Sequence, residues 1–83
     1  MTIRRKIKRA VDGDTLEVGT KIRGTNYIRI AGIDTPERGE IGYTSAKDKL
    51  NKQLRGKIVT IIPKGRSYNR LVAEVRYRRK KVI

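Results

Sequence analysis

Cysteine and histidine are both absent from this chain. The first absence excludes disulfides, thiol chemistry and any zinc site built on thiolates. The second excludes a Ser-His-Asp triad, a Cys-His pair and an imidazole base or metal ligand. Phe and Trp are missing too, so the core has to be aliphatic, and eleven isoleucines supply most of it. No run of ~18 apolar residues is present, so no helical membrane span is expected. Acids are scarce, with 8 Asp and Glu against 22 Lys and Arg. Chemistry, if there is any, must come from Asp, Glu, Lys, Arg, Tyr or a metal held by oxygen.

The scarcity of acids gives a formal net charge of +14 on 83 residues. Such a field attracts polyanions, nucleic acid first and an anionic membrane surface second. Solubility alone needs far less charge and usually mixes the signs. The length allows a single domain, residues 1–83, which buries a modest fraction of its surface. The start Met-Thr-Ile-Arg-Arg-Lys is basic, and no apolar segment follows it. With Met1 as a native start, that pattern predicts an intracellular chain without a signal peptide.

Five short strands and one helix are expected from the apolar periodicity. Residues 3–11 alternate Ile3, Ile7 and Val11 with basic residues. Asp12-Gly13 marks a turn needing φ > 0. Residues 15–18 form a second strand, 19–24 a turn region, and 27–33 a third strand with Ile28 and Ile30 facing inward and Arg29 outward. Residues 44–55 read as the only helix, with Ser45 and Asp48 at capping-box spacing and Ala46, Leu50 and Leu54 as one apolar stripe. Gly56 suits the position just past its end. Residues 57–62 form a β-branched strand ended by Pro63, and 71–77 a fifth with Leu71, Ala73, Val75 and Tyr77 on one face. Residues 78–81 are a charge run. The order β-β-β-α-β-β is that of an OB-fold, a small all-β Greek-key barrel with one helix. A five-stranded open sheet is the alternative; closure removes edges prone to aggregate.

Three of the eight acids fall within residues 27–40, beside an isoleucine-rich strand. Asp14 and Asp34 both sit at strand ends, and a hard cation such as Ca²⁺ or Mg²⁺ takes carboxylates, backbone carbonyls and water. The Thr35 carbonyl could join them. By spacing alone Asp12 and Asp14 read first as turn formers and Asp34 as a loop cap, since Asp-Gly turns are common. Arg29 and Arg70 offer planar forks that match a phosphodiester and the charge of its transition state. They are also compatible with solvated strand arginines. Glu37 could orient or deprotonate water, or form a surface ion pair with Arg38.

Together these motifs change the reading. Asp12-Gly13-Asp14-Thr15, then Ile28-Arg29-Ile30-Ala31-Gly32-Ile33-Asp34-Thr35-Pro36-Glu37, then Tyr68-Asn69-Arg70-Leu71-Val72-Ala73 closely resemble the staphylococcal nuclease (thermonuclease) family. The resemblance covers about residues 8–77 and includes Thr44-Ser45-Ala46 and Leu54-Arg55-Gly56-Lys57. It implies a Ca²⁺-dependent phosphodiesterase on an OB barrel, cutting DNA and RNA at the P–O5′ bond. Asp14, Asp34 and Thr35 would hold the metal. Arg29 and Arg70 would bind the phosphate, and Glu37 would act on water. Tyr68 would contact the nucleotide, with Lys64 and Arg66 adding nucleic-acid contacts from the same loop.

Two departures from the family pattern stand out. Arg66-Ser67-Tyr68-Asn69-Arg70 replaces an acid and a glycine, with Asn69 expected to tolerate the left-handed turn position. The family continues past the fifth strand into further helices, whereas the sequence given stops at Ile83, as a minimal form or as a fragment of a longer chain. In a minimal form their cover could come from a second copy in a homodimer, from residues 78–83, or from nothing. A non-catalytic nucleic-acid-binding barrel and a protein-interaction barrel, such as an inhibitor or viral accessory protein, are the competing functions.

Overall fold

A computed structural model describes residues 2–33, 35–36, 38–78 and 80–82, the side chains of 80 and 81 excepted. The elements run β1 (Ile3–Asp12), β2 (Thr15–Ile22), β3 (Thr25–Ile30), α1 (Tyr43–Leu54), β4 (Ile58–Ser67), β5 (Arg70–Tyr77) and β6 (Lys80–Lys81). The sheet order is β3-β2-β1-β4-β5-β6, and β3 also pairs in parallel with β5. That last pairing, Ile28 with Leu71 through Ile30 with Ala73, closes five strands into a barrel. Closure uses the backbone groups that an open edge would expose.

The core is aliphatic as composition required. Leu16, Ile28, Ile30, Leu54, Ile61, Leu71, Ala73 and Val75 are fully buried. Burying one such leucine or isoleucine contributes about 1.5–3 kcal/mol. The expected face of β5 holds, with Leu71, Ala73 and Val75 inside and Tyr77 packed against them. In β1 strict alternation fails, since both Ile7 and Ala10 are buried. A register shift between Ile7 and Arg9 explains it, because one extra residue in the strand moves the next side chain to the other face.

Several boundaries differ from the sequence expectation. β2 continues past residue 18, and the chain reverses at Arg23-Gly24, where φ is 50° and 83°. Two consecutive positive φ values suit a tight hairpin between twisted strands. β3 stops at Ile30 because Gly32, at φ 84°, turns the chain. Pro63 does not end β4. β1 pairs with β4 only as far as Ile61, so beyond it β4 has β5 alone as neighbour. A register shift between Pro63 and Gly65 absorbs the missing donor. In the β4–β5 turn the left-handed residue is Tyr68, at φ 56°, rather than Asn69. Thr25 Oγ1 donates to the Asn69 carbonyl, and Arg66 Nη1 donates to the Arg23 carbonyl at 2.9 Å. These bonds staple the two hairpin tips together and hold the turn.

Helix α1 lies against β1 and buries Leu50 and Leu54, with Ala46 half-buried, as the stripe predicts. Its start differs: Gly42 is the N-cap at φ 89°, with no side-chain cap bond, so Ser45 and Asp48 form no capping box. Tyr43, docked by its hydroxyl on the end of β1, sets the start ahead of Ser45. At the other end Gly56 adopts φ 77° as expected, and its N–H donates to the Ile7 carbonyl at 2.8 Å. The basic tail is more than a charge run. β6 pairs with β5, and Val82 is buried in the core, so this segment covers part of the barrel.

Candidate functional site

The site starts at the β1–β2 turn. Asp12-Gly13-Asp14-Thr15 crosses from one strand to the next, and the Asp14 carbonyl accepts the Ile30 N–H at 2.8 Å. That bond ties the turn to the end of β3. Gly13 was expected to supply a positive φ, but it does not have one. Its role is space. A Cβ there would lie 2.9 Å from both the Ala46 Cβ and the Thr35 Oγ1. Only glycine lets the turn, the loop after β3 and helix α1 approach this closely.

Around this turn a cleft of about 290 Å³ is lined by Asp12, Asp14, Arg29, Thr35, Pro36, Arg38, Tyr43 and Arg70. Four residues singled out in the sequence, Asp14, Arg29, Thr35 and Arg70, therefore meet in one place. Arg29 lies between Thr15 on β2 and Val72 on β5, in the segment that closes the barrel. Its Nε is 3.5 Å from the Asp14 Oδ2. The other Asp14 oxygen accepts from Thr15 Oγ1 at 2.9 Å. Arg70 Nη1 in turn donates to Thr15 Oγ1 at 3.3 Å. Thr15 is buried, so its hydroxyl is a fixed link between the carboxylate and the second arginine.

The result is two guanidinium groups whose remaining N–H edges have no partner among the described residues. A planar, permanently charged fork binds phosphate oxygens two at a time. Two forks on one cleft can hold a tetrahedral anion and follow its charge as it grows. The oxygen donors, Asp12, Asp14 and Thr35, are of the type a hard divalent cation takes, with no His or Cys in the chain. Among the described residues no group of three acids that could hold a metal ion is present. Asp34 and Glu37, expected as metal ligand and base, lie outside the described residues.

Lys64, Arg66 and Tyr68 do not line this cleft. Tyr68 stands 94% exposed at the β4–β5 hairpin tip, and Arg66 is engaged on the Arg23 carbonyl. Sequence reasoning missed three cleft residues that form a second network. Tyr43 donates to the Asp12 carboxylate and lies 3.4 Å from the Val11 carbonyl. Arg38, beside the Tyr43 hydroxyl and then Asp12, is pushed above the ordinary arginine pKa. A tyrosine directly after Gly42, ahead of the apolar helix stripe, was the available signal. No protein-family model matches the chain, and no curated protein matches it either.

Proposed function

We propose that the chain is a metal-dependent nuclease of the staphylococcal nuclease type, on an OB-type Greek-key barrel, hydrolysing phosphodiesters of DNA or RNA. One observation carries this reading: Asp14, Arg29 and Arg70, from three distant parts of the chain, converge on one cleft in a +14 protein. A pure polyanion binder has no use for carboxylates there, since they repel phosphate.

In this reading Arg29 and Arg70 grip the non-bridging oxygens of the scissile phosphate. Asp14 orients Arg29, and Thr15 couples Asp14 to Arg70. Such preorganised donors strengthen as charge builds in the transition state, without reorganisation at that moment. Glu37 takes a proton from the attacking water, a role that rests on the motif alone. Water forms the new bond to phosphorus as the P–O5′ bond breaks; the bond pair leaves on O5′, which takes a proton from solvent, so a 5′-hydroxyl and a 3′-phosphate remain. Asp14, Asp34 and Thr35 would hold Ca²⁺, which would supply charge neutralisation at the phosphate. Asp12, held by Tyr43, is a further oxygen at the same rim.

The charge by itself would also suit a barrel that binds nucleic acid without chemistry. Cleavage of single-stranded DNA and RNA, with Ca²⁺ and with EDTA, separates the two. Ca²⁺-dependent cutting that Glu37→Gln loses while still binding supports the nuclease. Salt-sensitive binding with no cutting supports the binder. Binding indifferent to salt removes both and leaves a protein-interaction barrel.

A further inference from the structure

The helix that begins at the cleft leads away from it beside β1. Tyr43, Lys47 and Asn51 are spaced four apart on one side of α1, and Arg55 follows as the C-cap just past its end. Three anchors fix the helix along the strand. Tyr43 reaches Asp12 and Val11, the Asn51 Oδ1 accepts the Ala10 N–H at 2.8 Å, and the Gly56 N–H donates to the Ile7 carbonyl at 2.8 Å. A hollow of about 370 Å³ lies between α1 and β1, and a second of about 390 Å³ lies beyond the helix end, between β1, Gly19-Thr20 of β2 and Arg55-Gly56. Both include Lys8 and Arg55 in their walls, so they form one groove. Its walls carry Arg5, Lys6, Lys8, Arg9, Lys47 and Arg55, against Asp48 as the acid.

We infer that this groove is a track for a single-stranded nucleic acid, contacted through its phosphates and continuous with the cleft. Continuity with the cleft rests on the nuclease reading; binding along the groove does not. Lys6, Lys47 and Arg55 have no ion pair among the described residues, whereas Lys8 and Arg9 are partly neutralised by Glu17 at 3.8 and 2.7 Å. Three unneutralised cations on facing walls match a line of phosphates better than a single compact anion. No aromatic residue lines either hollow, so bases have nothing to stack on and sequence is not read. From Tyr43 to Leu54 the helix rises about 17 Å at ~1.5 Å per residue. An unstacked strand is more extended than the ~3.4 Å per nucleotide of one duplex strand, so that length accommodates at most about five nucleotides.

The test is binding of fluorescein-labelled oligothymidylates, three and twelve nucleotides long, in EDTA so that no strand is cut. Wild-type protein is compared with K6Q/K47Q/R55Q and with a control of equal charge loss outside the groove, R4Q/K21Q/K52Q. The long oligonucleotide should bind wild type more tightly than the short one. The groove variant should lose that length advantage and lower the slope of log affinity against log salt by about 2, from ~0.7 per phosphate contact. The control should keep most of the advantage. Equal losses in both variants, or no length advantage in wild type, would overturn the track and leave only a general field. Circular dichroism melts on all three proteins exclude misfolding as the cause. Because the readout is binding in EDTA, a chain that cuts while the groove variant binds normally defeats the track alone. A chain that never cuts while the groove variant fails as expected defeats the nuclease alone.

Discussion

The cleft and the β1–α1 groove share strand β1, yet they treat charge in opposite ways. In the cleft every arginine meets an acid or a hydroxyl: Arg29 meets Asp14, Arg70 meets Thr15, and Arg38 sits beside Tyr43 and Asp12. In the groove Lys6, Lys47 and Arg55 face solvent without an ion pair among the described residues. Cross-linked charges cost attraction but fix position, which catalysis at one phosphate requires. Unlinked charges give attraction and no fixed geometry, which suits holding a strand in many registers.

The largest effect that would sharpen this contrast is Arg29→Lys. An ammonium cannot reproduce the fork, so turnover should fall roughly 100- to 1,000-fold, with the melting midpoint nearly unchanged. Unaltered turnover would remove Arg29 from the site. Gly13→Ala comes next, because the new Cβ meets Thr35 and Ala46 at 2.9 Å. Urea unfolding should show a loss of about 1–3 kcal/mol. Gly19→Ala, with nothing within 4 Å of its Cβ and no positive φ, should be nearly neutral and serves as control.

Thr15→Val breaks the buried link between Asp14 and Arg70 without changing the side-chain shape. It should cost about 1 kcal/mol in urea unfolding and lower kcat more than it raises KM. A change in KM alone would mean that the link serves binding. Asp48→Asn is the smallest: removing the groove's acid should raise oligonucleotide affinity a few-fold at low salt, and the gain should vanish at high salt. No arginine titration complicates these assays. Arg9 is pushed above its ordinary value by its hydrogen bond and attraction to Glu17, and Arg38 by Tyr43 and Asp12. Groups raised in this way stabilise the fold below the unfolded-state pKa and lose that contribution only as pH rises through the folded one. Both therefore contribute evenly around neutral pH, where their partner carboxylates are charged.

The element order, the inward face of β5 and the helix stripe were legible because burial imposes periods of two and 3.6 on the apolar residues. The motifs singled out Asp14, Arg29 and Arg70, and the fold brings these three to one cleft. Pro63 was misleading, since a proline stops a strand only where both edges need donors, and there β4 has one partner. Gly13 was misread for a related reason. Its motif suggested a backbone need, whereas the need is set by Ala46 and Thr35, which local sequence does not place beside it. Tyr43, Arg38 and Asp12 were invisible as a unit because each is ordinary alone.

Residue types alone set which side chains avoid water and how strongly the chain attracts polyanions, since hydrophobicity and formal charge belong to residues whatever their neighbours. Which charges meet depends on the packing of distant segments. The parallel pairing of β3 with β5 brings Arg29 beside the start of β5 and so beside Arg70. The packing of α1 along β1 turns scattered lysines into a groove. Both depend on contacts between residues far apart in the chain, and no local pattern encodes those.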